Sequence, residues 1–167
     1  WINVQETQTS ITGTPPFVVA TGGTITTSGD FKIHTFTGPG TFAVSNAAGV
    51  CGPTRNVVSY LVLAGGGGSG DAGAGAGGYR EVVSPDSPYT GSPLNGYPTP
   101  GKRITVTAQN YPITVGSGGS AVTRNSTSSF ATKGSDSTFS TITSAGGGYG
   151  GNGQPGSGDP GVPTFYA

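Results

Sequence analysis

The sequence predicts an all-β chain, a sandwich or barrel-like domain of short antiparallel strands with ordered glycine-rich loops. No window places apolar residues at i, i+3, i+4 and i+7, because Gly, Pro, Ser and Thr interrupt every candidate helix. Short runs of Val, Ile, Phe, Tyr and Thr recur instead, each bounded by turn residues. Roughly seven to nine such runs are typical of a sandwich or a barrel.

Four of these runs lie in the first 64 residues. Residues 17–20 form the first. Residues 31–35 alternate in the manner of a half-buried strand, which predicts that His34 faces solvent. The turn signal at 37–40 then predicts a hairpin whose return strand contains Phe42 and Val44. The run 57–64 is apolar on both faces, so it predicts a buried central strand.

The remaining strands are predicted in the second half of the chain, with apolar residues on one face and threonines on the other where the run alternates. They cover residues 80–83, 103–108, 112–115 and 138–144.

Two segments, 65–78 and 146–161, consist largely of glycine, and each directly follows a strand. A flexible linker is one interpretation. We expect ordered packing instead, because glycine lets backbones approach closely and because Tyr79 and Tyr149 could lie on flat glycine faces. The alternation in 73–77 favours a flat extended strand. The candidate packing residues are Tyr79, Gly65, Gly66, Gly67, Gly68, Gly146, Gly147 and Gly148.

The domain organisation follows from these segments. Residues 17–167 are expected to form one glycine-rich β domain. Residues 1–16 are expected to form an extended, Thr-rich arm that could add a strand to a neighbouring copy. Residues 85–100 contain many prolines and therefore predict an irregular surface excursion.

The composition argues against most kinds of catalysis and ligand binding. Seven basic and seven acidic side chains give no net charge, so nucleic-acid binding is not expected. There is no apolar run long enough to span a membrane. One cysteine, Cys51, and one histidine, His34, cannot build a disulfide or a histidine cage. The acidic residues lie mostly beside turn residues, so we expect no catalytic residues, no metal and no cofactor.

Exposed aromatic residues are the remaining candidates for a binding surface. Tyr89 and Tyr97 lie in the proline-rich excursion, and Tyr149 lies in the second glycine-rich segment beside Asn152. Tyrosine combines a flat apolar face with a polar tip, which suits glycan stacking or a protein interface. Packing within the domain is the alternative for each of the three tyrosines.

The order of several phrases, VVSYLVLAGGGGSG at 57–70, GAGAGGYRE at 73–81 and YPITVGSGG at 111–119, resembles the glycine-rich domain of bacteriophage virion proteins. That family is of the tail-fibre and tail-tip adhesin type, from phages of aquatic bacteria. The resemblance implies a non-enzymatic protein of the virion exterior that forms a homo-oligomer, with a trimer favoured, and contacts other virion proteins.

Two functions remain open from the sequence. In the first, loop tips of a tail fibre or tail tip contact a glycan or protein on the host surface. In the second, the chain is a self-assembling capsid-decorating or surface-filament protein that uses residues 1–16 for strand addition.

Overall fold

The computed structural model describes residues 17–29, 31–48, 56–85, 87, 89–123 and 130–151. The predicted arm at 1–16, Cys51 and Asn152 lie outside these residues. The chain divides into two compact units. The first comprises residues 1–36, 40–60 and 81–112, and the second comprises 37–39, 61–80 and 113–167.

The described residues form short strands and one 3₁₀ turn, Pro100–Lys102, which confirms the prediction of an all-β chain. The strands are β1 (Val19–Thr21), β2 (Thr24–Ser28), β3 (Phe31–Thr35), β4 (Gly40–Asn46), β5 (Val57–Val58), β6 (Tyr60–Leu63), β7 (Tyr79–Val82), β8 (Ile104–Thr105), β9 (Asn110–Thr114), β10 (Ser137–Phe139) and β11 (Ile142–Ser144).

In the first unit, strand pairing differs from the predicted hairpin. β3 pairs with β2, with Thr26 opposite Ile33, and not with β4. β4 pairs with β1, with Ala20 opposite Val44. β2 was not predicted from the sequence, because its Thr-rich run has no apolar alternation and is exposed on both faces. β5 and β8 form a separate antiparallel pair.

The two faces of β3 are also reversed relative to the prediction. Phe31 and Ile33 are exposed, whereas His34 is half-buried. The Nδ1 atom of His34 lies 2.8 Å from the carbonyl oxygen of Gly22, and its ring packs edge-on against Phe42 at 5.0 Å between centroids. The hydrogen bond and the ring contact draw His34 inward, so its role in this structure is packing.

The core of the first unit contains the buried rings of Phe42 and Tyr111 together with small and branched apolar side chains. The two ring centroids lie 6.4 Å apart. The Tyr111 hydroxyl accepts a hydrogen bond from the Thr107 backbone N–H at 2.8 Å. Burial acts to raise the pKa of Tyr111, but hydrogen bonds with Thr107 and Gln109 lower it below its usual value of 10.0. The other buried apolar residues of this unit are Ala20, Val44, Ala48, Val82, Val83, Ile104 and Val106.

The proline-rich excursion is irregular, as predicted, and is fastened to the end of β7. The Oδ1 atom of Asn95 accepts hydrogen bonds from the N–H groups of Val83 and Tyr97. The Glu81 carboxylate accepts hydrogen bonds from the backbone N–H and the hydroxyl of Ser92. These bonds give Glu81 a structural role, because its carboxylate closes the loop.

In the second unit, the run predicted as one strand over 138–144 is a hairpin. β10 and β11 pair antiparallel, with Ser137 opposite Ser144. Ser140 turns the chain with a positive φ of 54°. β10 also pairs with β9, where Thr138 lies opposite Thr114.

The predicted central strand at 57–64 is wrong in its burial. It divides into β5 and β6, each in a two-stranded sheet, with β6 beside β7. Leu61 and Leu63 are 57% and 55% exposed, so one face of β6 is open. Residues 57–64 are apolar on both faces, but the strand that they form is not covered on both sides.

Candidate functional site: a polyglycine array

Five segments of the second unit continue directly from strands and pack side by side. We name them PG1 (64–69, after β6), PG2 (72–78, before β7), PG3 (116–122, after β9), PG4 (131–136, before β10) and PG5 (145–151, after β11). None of them is a strand, and no glycine among them has a positive φ.

PG1 lies at the centre, and its hydrogen bonds repeat every three residues. Its N–H groups reach PG2 and PG4, and its carbonyls accept from PG3 and PG5. The bonds are Ala64 to Gly78 at 3.0 Å, Gly67 to Gly75 at 2.9 Å, Gly65 to Ser135 at 3.0 Å, Gly68 to Thr132 at 2.9 Å, Gly119 to Gly66 at 2.8 Å, Val122 to Ser69 at 3.0 Å, Gly147 to Gly65 at 2.8 Å and Gly150 to Gly68 at 2.9 Å, donor first.

A spacing of three is the repeat of a polyproline II helix, which has three residues per turn and no internal hydrogen bonds. The same spacing joins PG2 to PG5, through Ala72, Gly75 and Gly78. The flat strand predicted for residues 73–77 is therefore wrong. In a flat strand the backbone would bond with a repeat of two.

The bonding pattern fixes a two-layer arrangement. A threefold helix points its N–H rows in three directions and its carbonyl rows in three others. Around PG1 the neighbours follow in the order PG2, PG5, PG4, PG3, and each is bonded to the next. PG3, PG1 and PG2 therefore form one layer, and PG4 and PG5 form the second. The numbering of the bonded pairs shows that PG1, PG3 and PG5 run in one direction and PG2 and PG4 in the other.

Glycine is required where segments touch. A Cβ atom at Gly65 would overlap the Ser117 carbonyl, and one at Gly147 would overlap the Gly75 carbonyl. The same holds for Gly67, Gly68, Gly77, Gly116, Gly119, Gly134, Gly146 and Gly150. By contrast, a Cβ at Gly66 would meet only the Gly75 carbonyl oxygen, at 3.8 Å. Among the predicted packing glycines, Gly66 and Gly148 are the two that would accept a Cβ atom without overlap, and at Gly148 it would meet nothing within 4 Å.

The junction of array and sheet contains two buried serines that face each other across β10 and β11. Ser137 accepts a hydrogen bond from the Gly116 N–H at 2.9 Å. The Ser144 hydroxyl is fully buried without a hydrogen-bond partner and lies against Gly78. Nearby, the Asp136 carboxylate accepts a hydrogen bond from the Gly146 N–H at 2.8 Å. Neither serine was predicted from the sequence to have a role.

The predicted tyrosines occupy different settings. Tyr79 is half-buried in β7, at the end of PG2. Tyr89 and Tyr149 are 57% and 53% exposed. Tyr97 is half-buried, and the Arg103 guanidinium lies 4.3 Å from its ring centroid while Arg103 Nε donates to the Tyr97 carbonyl. One face of Tyr97 is therefore covered, whereas Tyr89 and Tyr149 are open to solvent.

A family model described as a glycine-rich domain matches residues 35–164, most of the chain. The chain belongs to the glycine-rich domain family. The match includes all five segments of the array and begins at the last residue of β3. Comparison of this glycine-rich domain with curated proteins and with solved structures gave no match.

Two further properties concern the described part of the glycine-rich domain. Its residues contain no group of three or more His, Cys, Asp or Glu side chains that could hold a metal ion. No helix among the same residues is long and apolar enough to cross a membrane.

Alanine substitutions at two neighbouring glycines of PG1 are expected to have different effects on the free energy of unfolding. Gly65→Ala should lower the free energy of unfolding by about 2–3 kcal/mol, because the methyl group forces PG1 and PG3 apart. Gly66→Ala should leave stability unchanged or raise it by about 0.4–1 kcal/mol, because alanine restricts the unfolded chain. Chemical denaturation of both variants measures the difference. Equal effects at the two positions would contradict the close packing of PG1.

The two facing serines form a second matched pair. Ser137→Ala should cost about 1–3 kcal/mol, because the Gly116 N–H loses its acceptor. Ser144→Ala should be neutral or stabilising by about 1 kcal/mol, since an unpaired hydroxyl is removed from the interior. The comparison uses thermal unfolding at fixed pH. A larger loss for Ser144→Ala than for Ser137→Ala is incompatible with the hydrogen bonding described.

Proposed function

We propose that this glycine-rich domain is a structural and adhesive module of a bacteriophage virion, of the tail-fibre or tail-tip type. Its array would act as a rigid base, and its loop tips would contact the host surface. The proposal places the protein on the virion exterior, without enzymatic activity, as a homo-oligomer in contact with other virion proteins. The family resemblance carried by the glycine phrases supports the phage assignment.

The observation that carries the adhesive role is the position of the connections. PG1, PG3 and PG5 run in one direction, so their last residues share one end of the array. The turn between PG1 and PG2 at Gly70–Asp71, Val122 at the end of PG3, Ala131 at the start of PG4 and Gly151 therefore gather at that end. Loops on a hydrogen-bonded base can vary in sequence without disturbing it, which is a common arrangement for binding surfaces.

Aromatic residues at this end supply the contact chemistry. Phe130, directly before PG4, is 74% exposed, and Tyr149 lies near the end of PG5. PG4 runs antiparallel to PG1 and PG5 runs parallel to it, so Phe130 and Tyr149 lie at the same end of the array. Flat aromatic rings suit the apolar faces of a surface glycan or a protein. Many weak contacts of this kind would be multiplied in an oligomer.

Replacing both aromatic residues tests the adhesive role. Beads coated with the full chain are offered to a panel of intact aquatic bacteria. The double variant Phe130→Ser, Tyr149→Ser should reduce adsorption about tenfold or more, because two contacts are lost at every copy. Leu94→Ser, in the excursion, removes another exposed apolar residue and should have no effect. Because contact does not depend on charge, adsorption should persist from low to seawater NaCl.

Unchanged adsorption of the double variant, with its fold intact by circular dichroism, would contradict adhesion through this end of the array. Loss of adsorption of the parent at seawater NaCl would contradict the uncharged contact.

The second candidate is a self-assembling capsid-decorating or surface-filament protein. The observation that favours it is the place of β1 at the edge of the order β1-β4-β9, two residues after the predicted arm at 1–16. An open strand edge accepts an added strand through its main-chain groups. The arm of one copy would then extend the sheet of the next.

Deleting residues 1–16 distinguishes the two candidates. Under the strand-addition proposal the truncated chain should run as a monomer in size-exclusion chromatography with light scattering, because the donated strand is gone. If the oligomer disappears while bead-bound monomers still adsorb to cells, the result supports the adhesive role. If the oligomer is unchanged, strand addition by the arm is ruled out.

A further inference from the structure

The proline-rich excursion at 85–100 contains an Asn-Gly pair, Asn95–Gly96, that the proposed function does not use. In such a pair the backbone nitrogen of glycine can attack the amide carbon of the asparagine side chain, since glycine has no Cβ atom to restrict the approach. A bond then forms between this nitrogen and Cγ, and the bond from Cγ to Nδ2 breaks. Nδ2 leaves as ammonia with the proton of the backbone nitrogen. Water opens the resulting succinimide ring and leaves aspartate or isoaspartate.

The closed excursion requires both members of this pair. The Oδ1 atom of Asn95 accepts hydrogen bonds from the Val83 N–H at 2.9 Å and from the Tyr97 N–H at 3.0 Å. Its Nδ2 atom donates to the Val83 carbonyl at 3.4 Å. Gly96 is buried, and a Cβ atom there would lie 2.7 Å from Cδ of Lys102. The contacts that order the excursion therefore retain a pair that is chemically labile.

The same contacts oppose the reaction. The Gly96 N–H donates to the Glu81 carbonyl at 2.9 Å, and this bond holds the proton that the nitrogen must lose when it attacks. Ring closure also brings Cγ of Asn95 onto that nitrogen, which carries Oδ1 away from its two donors. The amide nitrogen of Asn95 packs on Gly91, where an added Cβ atom would lie 2.8 Å from it. The reaction thus requires the excursion to open first, and its rate follows the population of the open state.

We propose that Asn95 is a self-modification site: the pair is protected while the excursion is closed, deamidates when the excursion opens, and then keeps the excursion open. A carboxylate at position 95 offers no donor, so two oxygen atoms face each other where Nδ2 donates to the Val83 carbonyl. Isoaspartate also adds a methylene group to the backbone and displaces the Gly96 N–H from the Glu81 carbonyl. Deamidation is therefore a one-way release of the segment that carries the exposed Tyr89.

Deamidation of the full chain at mildly alkaline pH, measured by mass spectrometry of protease digests, tests this site. The reference is a synthetic peptide of residues 91–99. Asn95 in the parent chain should react about tenfold or more slowly than in the peptide, because the reaction requires opening. Glu81→Ala removes the acceptor of both Ser92 donors. It should accelerate deamidation about tenfold, since hydrogen bonds to a charged group that close the excursion are lost.

Three further variants complete the comparison. Ser92→Ala removes only the hydroxyl and should give a smaller acceleration than Glu81→Ala. Leu94→Ser is the matched control, because Leu94 directly precedes Asn95 but is 67% exposed, and it should leave the rate unchanged. Each rate is divided by that of the peptide with the same sequence. Asn95→Asp carries the carboxylate of the product, and it should speed exchange of the Gly96 amide hydrogen, followed by NMR, about tenfold or more.

Three results would overturn the proposal. Equal rates in the parent chain and the peptide show that the closed excursion does not protect the pair. Rates in Glu81→Ala and Ser92→Ala that equal the rate in Leu94→Ser show that opening is not required. Unchanged exchange of Gly96 in Asn95→Asp shows that the product does not hold the excursion open. None of these results bears on adhesion, because the assay contains no host surface.

Discussion

Lateral hydrogen bonding between backbones is the interaction on which the second unit depends. Bonds from one segment to its neighbours form only where the two backbones approach without an intervening Cβ atom. Gly65 and Gly68 satisfy this condition on PG1, three residues apart, and Gly147 and Gly150 satisfy it on PG5. Buried positions follow the same spacing, as at Ala131, Gly134 and Ser137. The repeat of three in the sequence is therefore the repeat of the helix.

This interaction explains how a chain with only 32% hydrophobic residues forms an ordered unit. Each lateral bond contributes a net of about 0.5–1.5 kcal/mol, while each glycine loses more backbone entropy on folding than any other residue. The balance favours order only when every segment bonds to several neighbours, as PG1 does. Phe139 and Ile142 at the base add apolar burial where the segments leave the sheet. The array and the strands from which its segments continue thus stabilise the same parts of the chain.

The sequence predicted the strand content well and the pairing poorly. β3, β7 and β9 were located because their apolar residues are bounded by clear turn residues. β2 was missed because a strand of Thr and Ser has no apolar face, and without it β3 was assigned to the wrong neighbour. His34 was predicted to face solvent because it alternates with Phe31 and Ile33 along β3. Its hydrogen bond to Gly22 and its contact with Phe42 turn it inward instead. Partners that are distant in sequence decide these features, and periodicity does not encode them.

Only part of the array was predicted from the sequence, and the reason is different. Glycine density pointed to 65–78 and 146–161, whereas PG3 has three glycines and PG4 has one, and neither was recognised. A search for small residues at every third position would have found them, since Gly116 and Gly119 in PG3 and Ala131 and Gly134 in PG4 follow that rule. The interspersed Lys133 and Tyr149 point outward and are tolerated. In a threefold helix, one position per turn is thus open to any side chain on an outer segment, and the surface can change while the hydrogen-bonded interior stays the same.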